Sequence, residues 1–294
     1  MQATIHILGS GTSMGVPTLG CNCAVCRSAD PRDRRTRPSI SVTWAAAERG
    51  GRPEQGLGGL GGDGLPAKSA APAAAGTTDG WPQERCVIID TGPDFRQQAM
   101  REGIGHVDAV FYTHSHADHI LGLDDLRPLS FKRAGKLPLY ADETTALTLE
   151  KVFDYTFSPD SEYPTRARVE LHRIAGDEVV NVCGVAFQRV PLRHGRLEVG
   201  GFRFGSAAYL TDMNGIPDSS LPLLEGLDVL ILDALRPQAH PSHSNVKEAI
   251  EWVEELRPRR AWFTHMSHEI SHASTVLPAP IALAYDGLQI EFEI

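Results

Sequence analysis

The segment Thr113–His119, THSHADH, follows the apolar run VDAVFY at Val107–Tyr112. Three histidines and an aspartate thus crowd into six residues directly behind a buried strand. On an extended backbone alternate residues share a side, so His114 and His116 can reach one metal ion together. Asp118 and His119 follow at a turn into ILGLDDLRPL and can reach a second ion nearby. Imidazole and carboxylate suit zinc, manganese or iron alike. A solvated, imidazole-rich loop is the plain alternative, but it rarely produces this spacing. The segment reads as a metal cage.

Strand and helix patterns alternate along the chain. Strands are expected at Thr4–Leu8, Ser39–Trp44, Cys86–Ile89, Ala109–Tyr112, Leu137–Tyr140, Val185–Arg189, Ala207–Leu210, Val229–Leu232, Ala261–Phe263 and Gln289–Phe292. Helices are expected at Asp94–Glu102, Glu143–Phe153 and Val246–Leu256, the last behind a Ser-Asn start signal. Such interleaving indicates a layered α/β protein, with a weak two-half character in its strand pattern. The chain's 294 residues, 41% hydrophobic, are read as one domain over 1–294. Positions 46–84, rich in Gly, Ala and Pro, show no apolar periodicity and read as a disordered insert. Asp90, His114 to His119, Asp212 and His265 each fall just after a strand, so they should converge on one rim.

Composition narrows the partners. No apolar run approaches the roughly 20 residues of a membrane span. The start, MQATIHILGSG, has no basic segment ahead of an apolar one, so a cytoplasmic protein is expected. A net charge of −9 argues against broad contact with nucleic-acid backbone.

Further ligands to the cage should be isolated His or Asp residues at later strand ends. His194 in VPLRHGR, Asp212 in YLTDMNG and His265 in WFTHMSH fit. Alone, each would be an ordinary loop residue or turn cap; together and in order they support the cage. Five cysteines are an odd set for disulfides. Cys21, Cys23 and Cys26 have the C-x-C-x-x-C spacing that brings three thiolates to one tetrahedral zinc. An iron–sulfur set competes but lacks a fourth thiolate nearby. Cys86 and Cys183 sit in apolar sequence and read as core. His268, three residues beyond His265, is the leading fourth ligand.

THSHADH with His194, Asp212 and His265 resembles the HxHxDH pattern and downstream ligands of the metallo-β-lactamase superfamily. The resemblance implies an αββα sandwich. It also implies that His114, His116 and His194 hold one metal and that Asp118, His119 and His265 hold the other. Asp212 would bridge the two. A carboxylate there disfavours β-lactam hydrolysis, since β-lactamases of the superfamily usually carry Cys. Asp90 in VIIDTGPDFR would orient the cage, with a simple turn cap as the alternative.

GSGTSMGVPTLGCNCAVC at 9–26, GLDDLRP after the cage and THMSH narrow the resemblance. They are similar to the phosphoribosyl cyclic phosphate phosphodiesterase subfamily. That resemblance assigns Cys21, Cys23, Cys26 and His268 to a structural zinc. In the HPxH pattern His243 aligns with the general acid, with His240 as fallback and helix capping as the alternative for either. Asp118 then counts as catalytic as well as a ligand. The implied activity is cleavage of small, cyclic phosphodiesters by a hydroxide bridging two divalent ions, Mn or Zn. The implied partners are a small-molecule substrate and a second copy in a homodimer; no membrane is expected, and the net charge of −9 argues against nucleic acid. A tRNA 3′-processing-type nuclease, or a non-hydrolytic relative like those of pyrroloquinoline-quinone biosynthesis, is the alternative. Ser10 and Thr12 are balanced between a phosphate loop and a tight turn, and Arg127 is read as pairing with nearby acids. His6, His106 and His172 have no motif around them, and His272 is unassigned.

Overall fold

The structure, a computed structural model, describes residues 1–46 and 83–294. Of the insert expected at 46–84, positions 47–82 lie outside the described residues. Ala46 and Gln83 close its base, with Ala46 N–H donating to the Gln83 carbonyl at 2.8 Å.

In chain order the first half carries β1 (Gln2–Gly9), β2 (Ser39–Ala45), β3 (Glu84–Ile89), α1 (Phe95–Arg101) and β4 (Ala109–Phe111). It continues through the short helices α2 (Ala117–Ile120) and α3 (Arg127–Phe131), then β5 (Leu137–Ala141), α4 (Glu143–Val152), α5 (Asp154–Phe157) and β6 (Val169–Arg173). The second half carries β7 (Val179–Val182), β8 (Val185–His194), β9 (Leu197–Phe204), β10 (Ala207–Leu210), β11 (Val229–Asp233), α6 (Val246–Leu256), β12 (Arg260–Thr264) and β13 (Ile281–Leu283). Strand β14 (Gln289–Glu293) returns to the first half.

Two seven-stranded sheets result, ordered β14-β1-β2-β3-β4-β5-β6 and β13-β12-β11-β10-β9-β8-β7. Each is antiparallel from one edge to its middle strand, β3 or β10, and parallel beyond it. The two-half character of the sequence is this repetition.

Period-two burial sets the layering. Val87 and Ile89 of β3 and Phe111 of β4 face the other sheet, where they meet Phe187, Phe202 and Ile231. Their neighbours Ile88 and Val110 face outward onto Phe95 of α1 and Leu149 of α4. On the second sheet Leu230 and Leu232 face outward onto Ala249 and Val253 of α6. Strands covered on both faces read as unbroken apolar runs. The architecture is the expected αββα sandwich. Helix α6 begins with a capping box: Glu248 N–H donates to Asn245 Oδ1 and Asn245 N–H to Glu248 Oε2, each at 3.0 Å.

The sequence reading missed β6, β7, β9 and β13. β9 contains Gly200 and Gly201, which lower strand propensity. An added Cβ on Gly201 would lie 2.6 Å from Leu210 Cδ2, so close packing demands the glycine there. β8 runs five residues past its expected end, through Pro191 to His194. Proline is tolerated because β7 pairs only as far as Gln188, leaving that side open. Cys183 is exposed, not core: with Gly184 it forms the β7–β8 turn at φ 52°.

Phe111 stacks on Tyr140 at 4.8 Å and on Phe187 at 5.0 Å, at the centre of the inter-sheet layer. Phe111→Ala should therefore destabilise the fold by about 3–5 kcal/mol in denaturant unfolding. Phe131→Ala, on a residue 47% exposed, should stay within about 0.5 kcal/mol.

Candidate metal centre

The parallel strands of both sheets end at one rim, and their loops carry the polar residues. Asp90 follows β3, Asp212 lies just past β10, and His265 follows β12. All three adopt positive φ, at 66°, 54° and 58°. That region disfavours a residue with a Cβ by roughly 1–2 kcal/mol, yet it lets the chain kink at once and aim the side chain across the rim.

The structure brings seven side chains together in two groups that share one carboxylate. His114, His116, His194 and Asp212 form one, and Asp118, His119, Asp212 and His265 the other; within each, the ligand atoms lie within 4.8 Å of one another. Asp212 Oδ2 is 3.1 Å from His119 Nε2, and its Oδ1 is 3.3 Å from His265 Nε2 and 3.8 Å from His114 Nε2. His116 is exposed and marks the open side, while the other six are buried.

The loop bearing the histidines is locked by backbone contact. Thr91 N–H donates to the His119 carbonyl and Gly122 N–H to the Thr91 carbonyl, both at 2.8 Å. A Cβ on Gly92 would fall 2.0 Å from the Asp118 carbonyl oxygen, so only glycine fits this approach. Asp90 fixes the imidazoles. Its Oδ1 accepts from Thr113 N–H, and its Oδ2 from Thr113 Oγ1 and His119 Nδ1, each at 2.8 Å. His194 Nδ1 donates to the Ser242 carbonyl at 2.7 Å. These contacts fix which ring nitrogen faces the cage.

Several atoms facing the cage are unsatisfied. His114 Nε2, His119 Nε2, His265 Nε2 and Asp118 Oδ2 are buried without a hydrogen-bond partner. Such atoms are destabilising unless something meets them, and these four converge in the two groups. Burial, reinforced by His119, pushes His114 well below its usual range, so it is the neutral imidazole a metal requires. Burial works against ionisation of Asp212, but His119 and His265 outweigh it and hold the carboxyl well below the ordinary range. Burial opposes charge on His265 too, yet Asp212 and Asp118 push it up to about 9. The carboxylates thus draw positive charge to the point between the nitrogens. Divalent cations fit this donor set.

A second cluster lies beside the first. Cys21, Cys23 and Cys26 approach His268 Nδ1 at 3.1, 3.4 and 3.6 Å, from three sulfurs on one loop and a histidine 242 or more residues away. The Cys26 backbone N–H donates to Cys23 Sγ and pulls its thiol down to about 6, favouring the thiolate. Three sulfurs and one imidazole match a closed, tetrahedral zinc site.

His243 is buried, its ring 4.6 Å from His194 and 4.7 Å from His265; His240 lies one ring further out, 5.0 Å from His243. Asp233 is the residue that sequence reasoning missed. Fully buried at the end of β11, it accepts from His243 Nδ1 and from Met213 N–H, both at 2.9 Å. Its other oxygen lies 3.7 Å from His265 Nδ1. An Asp ending an apolar strand was the one available signal, the same that marked Asp90. Ser10 Oγ and N–H both donate to Asp286, which makes GSGTS a held turn. Arg127 pairs with Asp124 at 2.9 Å.

A two-sheet sandwich with imidazole and carboxylate side chains gathered at its strand ends is the architecture of a metal-binding hydrolase. A family model described as "Beta-lactamase superfamily domain" matches residues 85–266, and the chain belongs to that superfamily. It is similar to a crystal structure described as a new diphosphatase from the PhnP family: 46% identity, TM-score 0.80, covering 99% of this chain and 98% of that one. It is 32% identical over 287 residues to an octanoyltransferase of Porphyromonas gingivalis, which covers 96% of this chain and 50% of that protein. A ribonuclease Z of Myxococcus xanthus is 33% identical over 111 residues, 37% of this chain and 34% of its own length. The chain thus spans half or less of the curated relatives it matches here.

Asp90→Asn keeps the shape but removes the charge that orients His119. Affinity for the first equivalents of zinc or manganese should fall about 10–100-fold in a competition titration, while the far-UV dichroism stays unchanged.

Proposed function

We propose that this hydrolase is a metal-dependent phosphodiesterase acting on small, cyclic phosphodiesters. The observation that carries the reading is Asp212 shared between the two ligand groups, with His243 beside them. In this reading His114, His116 and His194 hold one divalent ion, Asp118, His119 and His265 the other, and Asp212 spans both, with manganese or zinc as the occupant. Bound there, divalent cations supply Lewis-acid polarisation of a phosphoryl oxygen and acidify water towards neutral pH. Cys21, Cys23, Cys26 and His268 hold a separate structural zinc.

The chain's own residues do the rest. Asp233 accepts from His243 Nδ1–H, which fixes the ring; as the imidazolium, His243 gives its Nε2 proton to the departing alkoxide and is left neutral, with Nδ1–H still on Asp233. Asp90 holds His119 through the cycle. The substrate enters on the side of His116. Similarity to a PhnP-family diphosphatase supports phosphorus–oxygen chemistry.

Leaving-group dependence tests the role of His243. His243→Ala should lower kcat for 2′,3′-cyclic nucleotides by about 10²–10⁴-fold. It should lower it far less for bis(p-nitrophenyl) phosphate, whose nitrophenolate leaves without a proton. Asp212→Ala should abolish both; equal losses on both substrates in His243→Ala would reject the acid.

The likeness to ribonuclease Z favours a second reading, RNA 3′-end cleavage. A net charge of −9 weighs against it, since phosphate contact is the main source of affinity for RNA. Turnover of a precursor tRNA faster than of the cyclic nucleotides would replace the first reading with the second.

A further inference from the structure

Among the described residues Arg35 is the bulkiest fully buried side chain. Its Nη1 donates to the Ser267 carbonyl at 3.0 Å, and its Nη2 to the Ile270 carbonyl at 2.8 Å and to Asp33 Oδ1 at 3.0 Å. Nε donates to the Arg32 carbonyl at 3.3 Å. Asp33 Oδ1 also accepts from the His272 backbone N–H at 2.8 Å. The two carbonyls bracket His268, and the same turn begins at His265. One short segment therefore carries a residue of each cluster, and the guanidinium grips it from below.

The other side of Arg35 faces the cysteine loop. Its backbone exchanges hydrogen bonds with Val16 in both directions at 2.8 Å, five residues before Cys21. A Cβ on Gly11 would lie 2.8 Å from Arg35 Cβ, so the first loop is pressed against it. A buried guanidinium is stabilising only when its donors are engaged. Here the acceptors are two carbonyls of one turn, an Arg32 carbonyl and one carboxylate. Lysine, a point charge without the planar fork, cannot bridge the same two carbonyls.

Resting on the reading of Cys21, Cys23, Cys26 and His268 as zinc ligands, we propose that Arg35 is a positioning residue. With Asp33 it fixes the 265–272 turn against the cysteine loop, holding His268 Nδ1 within reach of the three sulfurs and His265 at the cage. Retention of the thiolate metal and the geometry of the cage are thereby coupled through one buried ion pair.

The test uses the full chain loaded with zinc, and zinc transfer to a chromophoric chelator well below the melting temperature. Arg35→Lys should release the thiolate-bound zinc about tenfold faster than the parent, and Asp33→Asn should change it in the same direction. Val253→Ala, which destabilises the helix on the far side of the second sheet, should release it at the parental rate. Cobalt substitution reports the thiolate site, since thiolate-to-cobalt absorption in the near ultraviolet should weaken in Arg35→Lys and persist in Val253→Ala. Parental release from a folded Arg35→Lys overturns the proposal, as does equal acceleration in Val253→Ala. If Arg35→Lys does not fold, parental release from Asp33→Asn overturns it instead. Absence of the cobalt–thiolate band in the parent sinks the zinc reading itself, a separate failure.

Discussion

The Asp90 carboxylate is the interaction on which the rim depends. It is fully buried and, among the described residues, meets no arginine or lysine, only Thr113 and His119. A carboxylate so placed is tolerable only with its lone pairs filled. Filling them forces the loop after β3 and the loop after β4 into one arrangement. The histidine loop then packs so close to Gly92 that a Cβ there would fall 2.0 Å from the Asp118 carbonyl oxygen.

Neither half of the molecule contains the cage. The first sheet supplies Asp90 and the cluster from His114 to His119; the second supplies His194, Asp212 and His265. The polar groups meet only in the folded chain, where the inter-sheet layer around Phe111 holds the two sheets together. Until then they are solvated and repel or attract one another weakly. Folding thus concentrates two carboxylates and five imidazoles at one rim, all but His116 buried, and a cation resolves the resulting conflict. Metal binding and sheet packing stabilise each other for that reason.

Most of this was legible in the chain. The unbroken apolar runs of β3, β4, β10 and β11 identified strands because both faces are buried. The abrupt change from apolar to His or Asp marked where each one ends. The spacing of Cys21, Cys23 and Cys26 pointed to their cluster. What stayed hidden depended on tertiary contact. β9 was masked by Gly200 and Gly201, the second packed against Leu210 and Leu192, and β6 and β7 by edge positions with polar residues. Asp233 looked like any strand-ending acid until His243 was seen to lie against it. Arg35 sat in a charge-rich run, DPRDRRTRPS, that reads as solvated surface. Nothing local distinguishes the one arginine that turns inward.

The left-handed backbone at Asp90, Asp212 and His265 carries a consequence for how such a chain drifts under selection. At each of these positions glycine relaxes the backbone, and asparagine tolerates it better than most residues. Selection for thermal robustness alone would favour those replacements and dismantle the rim. On the proposed reading, metal binding at the rim favours the residues now present. On the proposed reading the three kinks are kept for their side chains, and a homologue with Gly at these sites would keep a relaxed backbone and lose the ligand atoms.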